Sequence, residues 1–275
     1  MIRVSILHSK SFRERLLTGV VYTLLVAGAI IFIIPFVWML SSSLKAPEQI
    51  FRMPIQWIPS PPIFANYKEA WQALPFSLFY RNTVFVTVMA ITGTLLSSSL
   101  AAYAFARLEF VGRDFLFLLV LGTMMLPGQV TIIPLFIIYK HLGWLNTHLP
   151  LFVSTFFGPP FYTFLLRQYF LTIPPELEDA ATIDGCSRVG ILRHVILPLS
   201  KSALVAVTIF VFMDSWNDFF GPLMYLTSQR LFTVTLGLTA FKGEYGTEWN
   251  LLLASSVTAI VPCLVIFFCF QRYFV

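Results

Sequence analysis

Long apolar runs without charge constrain this chain more than any other feature of its sequence. Leu16–Leu40, Asn82–Ala106 and Phe115–Tyr139 contain no charged residue. About 20 apolar residues in a helix cross a bilayer core that is about 30 Å thick. Backbone polar groups inside lipid must bond within the protein, so a run of this length is expected to be helical. These three runs therefore predict three transmembrane helices.

Three further runs complete the predicted set of spans. Leu149–Phe170 is interrupted only by Arg167 near its end, and Leu251–Phe270 is free of charge. The run Ala203–Leu226 is apolar but carries two aspartates, Asp214 and Asp218. The predicted fold is all-α, a polytopic membrane protein with six transmembrane helices and both termini on one side.

Composition agrees with a chain whose solvent is the lipid bilayer. Hydrophobic residues make up 57% of the sequence and charged residues 11%, whereas soluble proteins carry about 25% charged residues. The net charge of +5 is small and spread along the chain, so nucleic acid is not an expected partner. The three cysteines form no CxxC pair and the four histidines lack metal-ligand spacing, so no metal site is predicted.

The distribution of basic residues predicts which side each loop faces. Cytoplasmic loops carry an excess of lysine and arginine. If the N-terminus is inside, eleven of the 18 basic residues lie on that side, and four of the rest belong to one long outer loop. Both termini are therefore predicted to be cytoplasmic. The uncharged stretch Leu16–Leu44 is too long for a signal-peptide core, which spans about 7–15 residues, so the first span is expected to remain uncleaved.

A charged cassette, PPELEDAATIDGCSRVGILRHVILPLSK, joins the fourth and fifth spans. Proline suits the first turn of a helix, and the acidic residues after Pro174 and Pro175 lie near the positive end of its dipole. Gly185 marks the expected end of this helix. Ser187 is a predicted N-cap for a second short helix, Arg188–Val195, which Pro198 should separate from the next span.

Two interpretations of this cassette remain open from its residues alone. It is either an amphipathic segment that only lies on lipid or the docking site of a cytoplasmic partner. Helices that rest on lipid headgroups are usually rich in lysine and arginine, whereas this first helix is acidic. Its small residues, Ala180 and Ala181, would let another surface approach closely. The composition favours docking.

The cassette resembles the EAA loop of the permeases of ABC importers. The matching residues keep both type and spacing over about twenty positions, and the wider pattern is similar to the smaller permease of maltose-type carbohydrate importers. Asp179 replaces the usual leading glutamate, and Val195 replaces the usual isoleucine. The resemblance rests on Asp179-Ala180-Ala181, Gly185, Val195-Ile196-Leu197-Pro198, Ala101 through Arg107, Leu126 through Gln129, Trp216-Asn217-Asp218 and Gln271 through Phe274.

This resemblance implies a division of the chain into segments. It implies a cytoplasmic tail at 1–15, a first transmembrane helix at 16–40 and an extracytoplasmic loop at 41–78. A MetI-like permease core with five transmembrane helices would occupy 79–271 and contain the coupling loop 174–200. The implied location is the cytoplasmic (inner) membrane of a bacterium or archaeon.

The resemblance also implies partners and a set of coupling residues. A second related permease, two ATP-binding subunits and an extracytoplasmic solute-binding protein would complete the importer. Transport of a carbohydrate or related polar solute would be driven by ATP and Mg²⁺ bound to the partner subunits. The residues implied to transmit ATP-driven closure are Glu178, Asp179, Ala180, Ala181, Asp184, Gly185, Leu197 and Pro198.

The chain carries no phosphate-binding loop of its own. Such a loop needs G-x-x-x-x-G-K-[ST], so that backbone amides and the lysine reach the phosphates. Gly185 and Gly190 have the glycine spacing, but Ile191 and Leu192 follow them. We therefore expect no catalytic residue, bound cofactor or metal on this chain, and an energy source on another polypeptide.

Polar residues within the spans are the candidates for the translocation path. Asp214 is predicted near the bilayer midplane, where a carboxylate is a functional candidate because its insertion is costly. The alternative is structural: the aspartates cap a locally unwound helix, which Asn217, Gly221 and Pro222 favour, and for Asp218 this alternative is preferred. Gln129, between two prolines, completes the candidates Gln129, Asp214, Asn217 and Asp218.

Two other classes of function compete with the importer. A self-contained ion- or proton-coupled transporter would use Asp214 and Asp218 and would work without partners. An intramembrane enzyme is disfavoured, because the sequence has neither a G-x-S-x-G motif nor a histidine cluster.

Overall fold

A computed structural model describes residues 3–243 and 246–273 of the chain. These residues are almost entirely helical, with one two-stranded antiparallel hairpin. Short 3₁₀ segments occupy Val153–Phe157, Gln229–Leu231, Thr239–Phe241 and Gln271–Tyr273, and Leu192–Ile196 is a π-helix. The remaining elements are α1 (Arg3–Ser42), α2 (Pro47–Ile50), α3 (Ala65–Ala73), α4 (Phe76–Arg107), α5 (Arg113–Thr123), α6 (Gly128–His141), α7 (Leu149–Phe152), α8 (Pro160–Leu171), α9 (Glu176–Ile183), α10 (Arg188–Ile191), α11 (Leu197–Leu199), α12 (Lys201–Trp216), α13 (Phe220–Tyr225), α14 (Val234–Leu238), β1 (Lys242–Gly243), β2 (Gly246–Thr247) and α15 (Trp249–Phe270).

The number of spans agrees with the prediction. Among the described residues, four helices are long and apolar enough to cross a bilayer, and two bent helix pairs raise the number to six if each pair is one span. The four are Leu17–Ser42, Phe76–Arg107, Leu149–Leu171 and Trp249–Phe270. The all-α class and the polytopic organisation are confirmed.

Contacts divide the chain into two compact units, of which the first comprises Met1–Ala70 and Phe241–Val257. Helix α1 runs unbroken from Arg3 to Ser42, so the predicted boundary between residues 15 and 16 falls inside a helix. The apolar side chains of its span are exposed from Leu17 to Leu40. Exposed apolar residues along a whole helix are what a lipid-facing span requires.

The segment that follows α1 is ordered by polar contacts. The family resemblance implied a loop at 41–78, and α2 and α3 lie within it. The amide of Asn66 donates hydrogen bonds to the carbonyls of Ser43 and Lys45, at 2.9 and 3.0 Å. The Lys45 side chain is 1% exposed, and this burial lowers its pKa. The residues between Phe51 and Phe64 remain without helix, in accord with their proline content.

The second unit, Trp71–Ala240 with Thr258–Val275, is built around α4. The middle of α4 carries small residues that let the 3₁₀ segment Val153–Phe157 and α8 pack closely against it. Gly93 faces the side chains of Thr155 and Phe156, and one turn later the Ser97 hydroxyl donates a hydrogen bond to the Thr155 carbonyl at 2.8 Å. Small residues of this kind are the usual contact points between helices in membranes.

The predicted span 115–139 is not one straight helix. Helices α5 and α6 meet at 98°, and the break falls just before α6, where Pro127 precedes its first residue. A residue before proline is steered away from helical geometry, which explains a break at this position. Pro134 lies inside α6, which continues to His141. The run 115–139, which predicted one transmembrane helix, is therefore divided near Pro127 into two helices.

The predicted span 203–226 also unwinds near its C-terminal end. Helix α12 ends at Trp216, and α13 begins only at Phe220, as the sequence predicted from Asn217, Gly221 and Pro222. The chain then returns to α4, where the Asn82 amide donates to the carbonyls of Arg230 and Phe232, at 2.9 and 3.0 Å. Residues 231–234 are half-buried or buried, so this stretch is packed against α4.

Packing at Gly93 yields a test of this architecture. A Cβ atom there would lie 2.5 Å from both the Thr155 hydroxyl and the Phe156 ring. Overpacking costs about 1–3 kcal/mol, so Gly93→Leu should lower the thermal unfolding temperature of the detergent-purified protein. Gly122→Leu is the matched control, since nothing lies within 4 Å of a Cβ at Gly122. Equal unfolding temperatures for the two variants would contradict this packing.

Candidate functional site

Residues 174–200, which we call the elbow, begin with the helix that the sequence predicted. Helix α9 starts after Pro175 with three acidic residues in its first turn. Gly185 follows its end with a φ of 81°, the left-handed conformation that favours glycine. The Ser187 hydroxyl accepts a hydrogen bond from the N–H of Gly190 at 3.2 Å. The predicted end of the first helix and the predicted N-cap of the second are both confirmed.

The second half of the elbow is longer than predicted. The helix continues through the π-helical turn and α11, and it bends by 81° against α12 at Ser200. Pro198 lies within the last turn and does not end the helix. In the preceding wide turn the Leu197 N–H bonds to the Leu192 carbonyl. Pro198 is also in the first turn of the short helix α11. The first N–H groups of a helix have no helical partner, so the missing N–H of proline removes no hydrogen bond there.

The elbow has one buried face and one open face. Ile191 and Ile196 are fully buried, and they belong to an apolar cluster with Leu166 and Phe170 of α8. On the open face the Ile183 side chain is 86% exposed. Of the predicted coupling residues, Ala181 and Leu197 are half-buried, and those exposed are Asp179, Ala180, Asp184, Gly185 and Pro198.

Glu178 differs from the other coupling candidates because it points inward. Its carboxylate forms an ion pair with Arg107, with 2.8 Å between Oε1 and Nε. The Tyr103 hydroxyl donates to its other oxygen at 3.4 Å. The Glu178 side chain is 9% exposed and that of Arg107 is 11% exposed. Its carboxylate therefore points into this subunit and away from the open face.

Arg107 ends the stretch Ala101 through Arg107 on which the family resemblance partly rests, but the sequence analysis assigned it no role in this site. It is the last residue of α4, and its Nη2 donates to the carbonyls of Phe170, at 2.7 Å, and Ile173. The signal for this role in the sequence is weak, because a single arginine at the end of an apolar run is also typical of a charged residue at the membrane–water interface. Nothing in the linear sequence connects it to Glu178.

A cavity of about 880 Å³ lies in the second unit among α4, α5, α8 and α12. Its walls are mostly apolar and carry several hydroxyls and two carboxylates. The Tyr162 hydroxyl donates a hydrogen bond of 2.5 Å to Oδ2 of Asp214. The polar lining groups belong to Thr94, Thr123, Ser154, Thr155, Tyr162, Asp214, Ser215 and Asp218.

The other path candidates occupy different surroundings. Asp218 lines the cavity but also accepts a hydrogen bond from the N–H of Gly221 at 3.0 Å, which confirms its predicted capping role. The amide of Asn217 donates to the Met213 carbonyl of its own helix, at 2.8 Å. Gln129 is exposed in the first turn of α6. Neither Asn217 nor Gln129 is among the described residues that line the cavity.

No group of three or more metal-ligating side chains occurs among the described residues. The ionisable groups that line the cavity are the carboxylates of Asp214 and Asp218 and the phenol of Tyr162, which is hydrogen-bonded to Asp214. Together with the lining hydroxyls of serine and threonine, these groups can donate and accept hydrogen bonds.

Comparison with known proteins agrees with this architecture. The chain is 36% identical over 250 residues to an arabinooligosaccharides transport system permease protein, AraQ of Halalkalibacterium halodurans, which covers 90% of this chain and 89% of that protein. It is 35% identical to a probable ABC transporter permease protein, YurM of Bacillus subtilis, over 88% of this chain and 80% of the relative.

A solved structure shares the same fold. A chain in the crystal structure of a bacterial ABC transporter involved in the import of the acidic polysaccharide alginate superposes with a TM-score of 0.86. The match covers 96% of this chain and 98% of that one, at 24% identity. This likeness confirms the MetI-like permease fold.

The sequence pattern of one family covers the permease core. The family is described as the inner membrane component of binding-protein-dependent transport systems, and its pattern matches residues 93–275. The match includes the whole elbow and the polar residues of α12. The chain therefore belongs to this family, as a multi-pass membrane permease subunit of an ABC importer.

Proposed function

We propose that this chain forms half of the translocation pathway for a carbohydrate or related polar solute. In this proposal it pairs with a second related permease, and an external solute-binding protein delivers the solute. Two separate subunits bind ATP and Mg²⁺ and supply the energy. Both termini and the elbow face the cytoplasm, as the basic residues of the loops indicate. The saccharide specificity named for the arabinooligosaccharide relative supports a sugar as the solute.

The observation that carries this proposal is the two-faced elbow. Its inner face is packed into the apolar cluster of the second unit, while its outer face presents Ile183 beside the small Ala180 and the acidic Asp179 and Asp184. The exposed large apolar side chains of the elbow include those of Leu177, Ile183 and Val189, and an exposed apolar patch rimmed by polar residues marks an interaction site. An ATP-binding subunit with a cleft lined by basic and apolar groups would complement it.

The coupling candidates then divide into groups by position. Asp179, Ala180, Asp184 and Gly185 are open to a partner. Ala181 is half-buried, and its small side chain lets α9 pack closely both against this subunit and against a partner. Leu197 and Pro198 lie where the elbow bends into α12, so they would transmit its movement into that helix. Glu178 faces the interior of this subunit, where it contacts Arg107, and does not face the partner.

The cavity supports a path that passes Asp214. Carbohydrates present many hydroxyl groups, and a site for them combines apolar walls with a few well-placed polar groups. The volume of about 880 Å³ lies within the usual range for small-molecule sites. Since Gln129 and Asn217 do not line the cavity, we leave them out of the proposed path. Asp218 contributes as a cap that shapes its outer end.

A self-contained transporter that uses Asp214 and Asp218 is disfavoured. One of the two carboxylates serves as a helix cap, and the family match covers the whole region that holds them.

The conformation of Gly185 provides the experiment for the coupling function. Because its φ is 81° and nothing lies within 4 Å of where a Cβ atom would be, substitution acts through backbone strain. Valine at this φ costs about 1–2 kcal/mol, whereas asparagine tolerates the left-handed region. Gly185→Val should lower the solute transported per ATP hydrolysed by the assembled importer, about fivefold for a coupling loss of 1 kcal/mol. Gly185→Asn should retain most of it, and normal coupling in the valine variant would contradict the role of the elbow.

Substitution of Asp214 tests the path. Asp214→Ala removes the partner of the Tyr162 hydroxyl and a polar group of the cavity. A lost hydrogen bond to a charged group is worth about 1.5–3 kcal/mol, so kcat/KM for uptake should fall about tenfold or more. Asp114→Ala is the control, since Asp114 is 79% exposed and lies outside the cavity. Uptake kinetics equal to those of the unsubstituted importer would assign Asp214 a structural role only.

A further inference from the structure

We infer that Arg107 is a positioning residue that holds the elbow to two transmembrane helices at once. Its guanidinium joins the end of α4, the end of α8 and the first turn of α9. A displacement of the elbow is thereby carried into α4 and α8 together. This inference rests on the proposed coupling role of the elbow and assigns to it a residue outside the elbow.

The contacts of Arg107 use the shape of its side chain. Nε faces Oε1 of Glu178 at 2.8 Å, while Nη2 donates to two carbonyls, those of Phe170 and Ile173. Arginine presents five donors in a rigid planar fork, so one side chain can meet a carboxylate and backbone carbonyls in different directions. The ammonium group of lysine is a single point and cannot reproduce this arrangement.

One of the two carbonyls, that of Phe170, belongs to the last turn of α8, where a helix needs donors, and the other, that of Ile173, lies two residues past the end of the helix. Helix α8 ends at Leu171, and the last four carbonyls of a helix lack helical partners. A cation at this end also interacts favourably with the helix dipole. Arg107 therefore binds the negative end of α8 and, through Glu178, the beginning of α9. The joint between these helices, Thr172–Pro175, is fixed on both sides.

The surroundings make the arrangement rigid. Tyr103 lies one turn before Arg107 on α4 and donates to the second oxygen of Glu178. Phe170 and Ile191 pack in the same apolar cluster with no exposed surface. Buried ion pairs contribute little net stability, because desolvation offsets their attraction, and their best-supported use is to specify one arrangement. Because the Arg107–Glu178 pair is expected to add little net stability, its role is to fix the position of the elbow.

A second arginine–carboxylate pair in the chain shows the contrast. Arg113 and Asp114 are 2.9 Å apart, but they are neighbours in sequence on α5 and their side chains are 32% and 79% exposed. This pair joins no second element, and exposed pairs are worth little. It therefore provides matched control substitutions on a nearby helix start.

The experiment measures coupling in the complete importer. The complex is reconstituted in liposomes with its binding protein and solute, and both ATP hydrolysis and uptake are recorded. Glu178→Gln and Arg107→Lys preserve side-chain size, and each should lower the ratio of solute moved to ATP hydrolysed about tenfold, within the range of coupling energies between sites. Basal ATP hydrolysis per assembled complex should change little.

A double variant guards against a folding defect. Glu178→Gln leaves a buried cation with a weakened partner, whereas Arg107→Met with Glu178→Met removes both charges, and such apolar replacements are often neutral for stability. The double variant should assemble in normal yield and still couple poorly, because the α8 carbonyls and α9 have lost their common donor. Arg113→Lys and Asp114→Asn should couple as the unsubstituted importer does.

Three results would overturn this inference. The first is an unchanged ratio of uptake to hydrolysis in all three Arg107 and Glu178 variants. The second is a loss of uptake and hydrolysis in the same proportion as assembled complex, which is the signature of a purely structural residue. The third is a failure of all three variants to assemble. Failure of the proposed function is a separate outcome: the unsubstituted importer would then show no ATP-dependent uptake.

Discussion

The absence of water in the bilayer core is the constraint on which the rest of this structure depends. Backbone groups there must be satisfied within the protein, so helices are the only element available to an open chain. Two irregular stretches of the second unit are compensated by specific groups. The unwound end of α12 is capped by Asp218, and the return of the chain at Arg230 and Phe232 is bonded by the amide of Asn82. The same rule explains why Arg107 reaches the carbonyls at the end of α8.

This constraint also separates the two parts of the molecule that carry function. The cavity beside Asp214 lies among the helices of the second unit, and the Tyr162 hydroxyl is hydrogen-bonded to Asp214 there. The elbow lies at the ends of those helices, where polar side chains can remain solvated at little cost in free energy and a partner can approach. Under the proposed function, in which separate subunits hydrolyse ATP, force enters through such a surface. The buried Arg107–Glu178 pair gives that surface a fixed attachment to α4.

The sequence predicted much of this because its signals were local. Apolar run lengths placed six spans, Gly185 and Ser187 placed the ends of the elbow helices, and Asn217 with Pro222 indicated the unwinding after α12. The sequence did not predict contacts between residues that are far apart in the chain. In the sequence, Glu178 is one of several acidic residues in the first turn of a predicted helix. Its contact with Arg107, which lies 71 positions earlier in the chain, is seen only in the folded structure. The 98° bend between α5 and α6 was also missed, because a proline shows where a helix can break but not the angle. The assignment of segment boundaries and of coupling residues stays a prediction.

The central claim is that this chain moves solute only when the elbow is engaged by an ATP-driven partner. Uptake of a labelled oligosaccharide into liposomes tests it most directly, with this chain alone in one preparation and the full set of importer subunits in another. The account predicts uptake in the second preparation, dependent on ATP and on the binding protein, and none in the first. Solute accumulation by the chain alone, driven by an ion gradient or by no energy source at all, would contradict it.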